Sequence, residues 1–362
     1  MRQLNRQQIS DILCGCAILG TGGGGELSEG FDYIDKAIAA GKTFTLVDID
    51  QLSDNDMLCT PYMLGALTLE HADNYHHLPQ TSQPSIMTAY ERLKEYTGCN
   101  IHGTICCELG GANTAISFYL AAMIDGVIID ADPAGRAVPE ITHSTYYLNN
   151  LPAAPIFTAN EFGECFVCEN IVDDERAEQI VRALAMVSRN DIAAIDHVMS
   201  VSAMKHAVIK GTISKALAIG EVYRNAKSQG IDIANQIAKF GGGLVRFRGH
   251  VVDFEFSSQN GFTVGTITIK GEGQFQNNEY KIHVKNENLW SQLNGEVDVT
   301  IPDLICCLDM DKKEPVTNPN LTLEMNLAVV ILPAPKEFTT EKGLAAFGPS
   351  YVGLDSEYKP AV

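Results

Sequence analysis

With 362 residues, the chain exceeds what one hydrophobic core usually organises, so two domains are expected. Its 45% hydrophobic and 20% charged residues are those of a globular protein and argue against a disordered chain. The net charge of −19, from 45 acidic and 26 basic residues with no Lys/Arg-rich run, argues against nucleic acid and anionic membranes as partners.

No apolar run reaches the roughly 20 residues that span a bilayer. Near the N-terminus, Asp11 interrupts a short apolar patch whose Ile9, Ile12, Leu13 and Cys16 fall at helical spacing. We read an amphipathic helix from about Asn5, not a signal peptide. The helix ends in the run Thr21, Gly22, Gly23, Gly24 and Gly25, and a second helix carries Leu27, Phe31, Ile34 and Ile38 on one face. Strands are expected over residues 44–49 and 57–62, then a helix through Ile86 and Leu93, a strand ending near Cys107, a helix from about Asn113, and a buried strand over 127–130. This alternation predicts a layered α/β domain. After a helix over 173–189 and more helix between 212 and 239, short β-type segments follow one another with Gly, Asn and Glu turns. They predict an antiparallel barrel or sandwich. The domains are therefore placed at residues 1–168 and 169–362.

The ten cysteines include the adjacent pairs Cys106–Cys107 and Cys306–Cys307, each read within a strand, where neighbours point to opposite faces. Such pairs make poor disulfides. Reduced, buried thiols in a cytoplasmic protein are the expectation. Cys165 and Cys168 have C-x-x-C spacing without the second pair that a zinc site needs.

Three segments carry the chemical signal. Asp130, Asp132, Arg136 and Glu140 fall within eleven residues directly after an apolar strand, where α/β sheets place ligands. A salt-bridged loop capping the following helix is the alternative to a functional site there. The four glycines at 22–25, preceded by Thr21, can offer backbone N–H groups to an anion or carbonyl oxygen, or form only a flexible turn. No Gly-Lys-Ser/Thr follows them, so they are not a P-loop. Glu108, with Gly110, Gly111 and Asn113, stands at a strand–helix junction, where Asn113 can cap the helix or bind a polar substrate atom. His102 and His143 flank these segments as possible acids or bases, while His71, His76 and His77 share a polar stretch.

In this order and spacing, the segments resemble the S-methyl-thiohydantoin desulfurase-like family, long catalogued near hydantoinase/oxoprolinase proteins. The resemblance runs from Leu19-Gly20-Thr21 through residues 108–113 and 130–140. It continues through Gly211-Thr212, Phe247-Arg248-Gly249 and Pro302-Asp303 to Phe347-Gly348-Pro349 and Tyr358. It implies an N-terminal three-layer α/β/α domain, a C-terminal domain with a β-barrel, and chemistry on the ring sulfur of thiohydantoins. The proline at 133 departs from the open turn expected there.

The reaction so implied is hydrolytic loss of methanethiol or sulfide from C2 of a five-membered ring. It needs a base for water, donors for developing negative charge, and an acid or metal at the leaving sulfur. Asp130 or Asp132 is expected as base or metal ligand, and Arg136 as the group orienting a carboxylate or ring carbonyl. Amides of residues 22–25 would act as donors, with Glu108, Asn113 and Glu140 completing the wall. Clustered carboxylates and histidines admit a divalent metal ion, though no spacing identifies one. Cys106 or Cys107 as nucleophile is a second mechanism. A hydantoinase/oxoprolinase-type ring hydrolase, or its accessory subunit, and a non-catalytic small-molecule binding protein are the alternatives. The expected partner is a small-molecule substrate, and a homo-oligomer is compatible with the sequence.

Overall fold

The computed structural model of the protein describes residues 1–66 and 75–362; Glu70 and His71 lie outside the described residues. The first helix, Arg6–Leu19, begins where Asn5 accepts from the Gln8 amide at 2.9 Å and the Gln8 side chain accepts from the Asn5 amide at 3.0 Å. This reciprocal cap satisfies two N–H groups that a helix start otherwise leaves unpaired.

An eight-stranded mixed sheet organises the first half. Its order is Arg2–Leu4, Phe44–Val47, Val127–Ile129, Ile101–Thr104, Met57–Gly65, Asp191–Ser200, Ile156–Ala159 and Cys165–Cys168. The second to fifth strands run parallel, with helices Ser85–Thr97 and Asn113–Met123 as crossovers, and the flanking strands are antiparallel. Asp191–Ser200 comes from beyond residue 168 yet pairs with both Met57–Gly65 and Ile156–Ala159. Strand Ile101–Thr104 stops before Cys106 and Cys107, so that pair lies in the loop after it.

The second sheet is antiparallel throughout: Glu296–Thr300, Glu287–Leu293, Glu279–Lys285, Phe262–Gly271, Leu244–Gln259, Asn326–Leu332, Leu304–Asp309 and Glu314–Pro315. Its outer strands do not pair with each other, so among the described residues the expected barrel does not close. Pro315, on the two-residue edge strand, has no N–H to extend the ladder. Cys306 faces the core shared with the helices, whereas Cys307 faces the second core within the sheet, as strand alternation requires. All ten cysteines are free thiols. No described helix is long and apolar enough to cross a membrane.

Helices Arg6–Leu19 and Thr212–Gln229 tie the halves together at two glycines. A Cβ on Gly15 would lie 1.9 Å from the Ala216 carbonyl oxygen, and one on Gly220 would lie 1.8 Å from that of Asp11. Backbones this close leave no room for any side chain. In an exposed helix Gly→Ala gains up to about 1 kcal/mol. Here Gly15→Ala is expected instead to cost about 1–3 kcal/mol through overpacking, seen as a lower urea midpoint; a raised midpoint would refute the close crossing.

Candidate active site

A cavity of about 510 Å³ opens between the first sheet and the start of the second. This volume lies within the roughly 300–1,000 Å³ of small-molecule sites. Its walls come from the end of strand Met57–Gly65, the loops around Glu108 and Val138, strand Asp191–Ser200, and the turn at Asn286 and Glu287.

Glu108 is the best-defined carboxylate there. Its Oε1 accepts from Asn113 Nδ2 at 2.7 Å and its Oε2 from the Val138 amide at 2.8 Å. Asn113 also accepts from the Met63 amide and donates to the Met63 carbonyl, which holds the strand edge against the helix start. Burial pushes Glu108 up to about 7, against these donors, with the charge of Asp132 adding to the rise and Arg136 opposing it. Glu287 is 3% exposed, and its Oε2 has no hydrogen-bond partner. Burial, followed by the charge of Glu108, holds Glu287 well above the usual carboxylate range while Arg136 opposes. Two buried carboxyls sharing one cation cannot both ionise cheaply, so the pair keeps a proton near neutral pH.

On the opposite side, His197 is 2% exposed and its Nδ1 lies 2.7 Å from Asp196 Oδ1. The Tyr62 hydroxyl donates to Asp196 Oδ2 at 3.0 Å. An ionised Asp196 can only accept, so His197 Nδ1 carries the proton and Nε2, which has no partner, keeps its lone pair. The imidazole stacks on Tyr146 at a centroid distance of 4.1 Å, and the Tyr146 hydroxyl lies 3.2 Å from Thr60 Oγ1. Cys107 also lines the cavity, but burial, then the charge of Glu108, pushes its thiol well above the usual range. A thiol so held is a poor nucleophile.

Family models describe this chain over almost its whole length. The S-Me-THD-like N-terminal domain matches residues 7–170, and the S-Me-THD-like C-terminal domain matches residues 172–361. The chain belongs to the S-Me-THD-like family. A protein from Chromobacterium violaceum solved by X-ray crystallography shares the fold, with a TM-score of 0.80 at 20% identity over 100% of both chains. No curated protein matches.

Of the residues singled out in the sequence of this S-Me-THD-like chain, Gly24, Gly25, Glu108, Asn113 and Glu140 reach the cavity. Glu140 is held there by Lys285 and accepts from the Tyr351 hydroxyl at 2.5 Å. Asp130, Asp132, Arg136, Thr21, Gly22 and Gly23 lie behind its wall. Asp130 accepts from the Ser214 amide at 2.9 Å and from its hydroxyl, so it caps helix Thr212–Gln229. Asp132 turns its Oδ2 to the amides of Ala134 and Gly135. The glycine run is a seam: a Cβ on Gly23 would meet Glu287 Oε1 at 2.0 Å, and one on Gly24 would meet Gly110 Cα at 2.5 Å. His102 is exposed beside Asp56, and His143 is buried between the rings of Phe347 and Tyr351, outside this cavity.

Residues overlooked in the sequence include Asp196 and His197, although an Asp-His pair inside an otherwise apolar strand is a usable signal. Glu287 gave none, because Asn286-Glu287-Asn288 reads as a turn. Among the described residues no group of three or more His, Cys, Asp or Glu side chains is placed to hold a metal ion, so Asp130 and Asp132 do not fit the ligand role expected for them.

The raised Glu108 has a consequence for folding. A carboxyl that is more basic folded than unfolded favours the fold below about pH 4.5, and that contribution is lost as pH rises through about 7. Relative to Glu108→Gln, the native protein should lose up to about 3 kcal/mol of stability between those limits. Denaturant midpoints for both proteins at pH 5 and pH 7.5 measure this, and parallel pH trends would contradict it.

Proposed function

We propose that the chain is a hydrolase that removes sulfur from C2 of a thiohydantoin-like five-membered ring in this cavity. The family's description supports the ring and the desulfurase-like reaction class. The observation that carries the chemical reading is one cavity that presents an unpartnered imidazole nitrogen and a protonated carboxyl together.

In this mechanism His197 Nε2 takes a proton from water as its oxygen attacks C2, while Asp196 holds the imidazole orientation and stabilises the imidazolium. Tyr62, through its hydrogen bond to Asp196, fixes that carboxylate in turn. The tetrahedral centre then collapses by breaking the C2–S bond, and the Glu108–Glu287 pair supplies the proton to the departing sulfur. For an S-methyl ring the sum is water plus substrate giving hydantoin and methanethiol; for a plain thiohydantoin the second product is hydrogen sulfide. Cys107 takes no part as nucleophile, because its protonated thiol is unreactive.

Purified protein mixed with S-methyl-thiohydantoin and with thiohydantoin should release thiol or sulfide, with intact hydantoin as co-product. His197→Gln should lower kcat by about 10²–10⁴, measured on protein shown to be folded by circular dichroism, since loss of the buried imidazole also lowers the thermal midpoint. A ring-opened carbamoyl product would replace this reading with ring hydrolysis; absence of turnover, or full activity in the His197 variant, would remove it.

A further inference from the structure

The cavity is lopsided in charge. At its mouth Glu29, Asp32 and Asp191 are exposed and have no hydrogen-bond or ion-pair partner among the described residues. Glu29 rises from helix Leu27–Ala39 and Asp191 opens strand Asp191–Ser200; burial, with the charge of Glu29 adding, pushes Asp191 up to about 7, so an incoming cation also favours its ionised form. Of the cavity's two Lys or Arg side chains, only Lys36 is at the mouth. The other, Arg182, is consumed: it donates to Glu178 and to the carbonyls of Gly65, Pro139 and Gly261. Deeper in, Glu287 Oε2 and His197 Nε2 are buried atoms without partners; the protonated carboxyl can donate to a ring carbonyl, and the imidazole nitrogen can accept from a ring N–H. Lys36, which has no ion-pair partner among the described residues, is the single cation at the mouth against three unpaired carboxylates, so the mouth keeps a net negative field and gains by meeting a cation.

We infer that the site selects rings bearing a positively charged substituent, an amine or guanidinium on a short chain. A ring carbonyl and a ring N–H satisfy the two buried groups, and the charged tail lies between Glu29, Asp32 and Asp191. The ring's identity rests on the reading under Proposed function, but the charge preference does not.

Binding separates the two. Hydantoins derived from lysine, norleucine and glutamate carry the same ring with cationic, neutral and anionic tails, and their affinities can be measured by calorimetry at low salt. The lysine-derived ring should bind about tenfold tighter than the norleucine-derived one, and the glutamate-derived ring more weakly still. The combined variant E29Q/D32N/D191N, altered only at exposed positions, should bring all three close together, as should raised salt. Equal affinities in the native protein, tightest binding of the anionic ring, or binding of none would overturn the inference. If the cationic preference holds while none of the matching thiohydantoins is turned over, the charge selection stands and the desulfurase reading fails.

Discussion

Where the two halves of the chain meet, every N–H of Arg136 is committed. Nε donates to the Ala137 carbonyl, Nη1 to those of Pro302 and Asp303, and Nη2 to Thr21 Oγ1 and the Asn288 carbonyl. At 1% exposure the guanidinium receives no water, and its direct partners are all neutral. Burial pulls it down to about 10, so it remains charged at neutral pH. A buried charge with only neutral partners demands a nearby opposite charge. Glu287 supplies it, with Asp303 and Glu108 adding. Burial and mutual repulsion of Glu108 and Glu287 outweigh what Arg136, and at Glu287 also Arg182, give back, and the chemistry of the cavity depends on that imbalance.

That electrostatic arrangement requires a backbone seam with no side chains. Gly23 leaves the space that the Glu287 carboxylate fills, while Gly24 lets the chain pass against Gly110. The Gly24 carbonyl accepts from the amides of Ala112 and Asn113, and the Thr21 and Gly22 carbonyls accept from Asn288 and Asn318 in the other half. The glycine run therefore joins both halves and sets both acids. Its lack of Cβ atoms is what lets the two acids and the two halves approach this closely.

The sequence is most legible where the signal is local. The cap at Asn5, the helix from Asn113 and the alternation of Cys306 and Cys307 between two cores all follow from short-range pattern. It misleads where a residue's partner is distant. Asp130 reads as a strand-end catalytic acid, but it caps a helix that begins 82 residues later, at Thr212. Arg136 reads as a substrate clamp because its carbonyl partners, mostly more than 150 positions away, have no mark in the sequence. Glu287 is hidden for the same reason: its burial is set by a glycine in the other half. Asp191–Ser200 lies beyond the point where the pattern changes, yet it completes the first sheet and delivers Asp196 and His197. A boundary drawn from local composition separates that pair from the cavity it lines.

The same side-chain type performs opposite tasks at two depths of one cavity, and solvent is the reason. Inside, Glu108 and Glu287 are stripped of water and share Arg136, so ionisation is costly and a proton stays available for transfer. At the mouth, Glu29 and Asp32 remain in contact with solvent, where a carboxylate acts chiefly through its field, even though partial burial raises Glu29. The inner acids are thus suited to moving a proton and the outer ones to choosing what enters. Arg182 keeps these zones apart by binding Glu178 and the carbonyls of Gly65 and Pro139, which fixes the wall and commits its donors, while its charge only partly opposes the rise of Glu287. Were that guanidinium free to turn into the cavity, it would neutralise the inner acids and open the site to anions. Its complete hydrogen bonding is what keeps the chemical and selective roles of the carboxylates distinct.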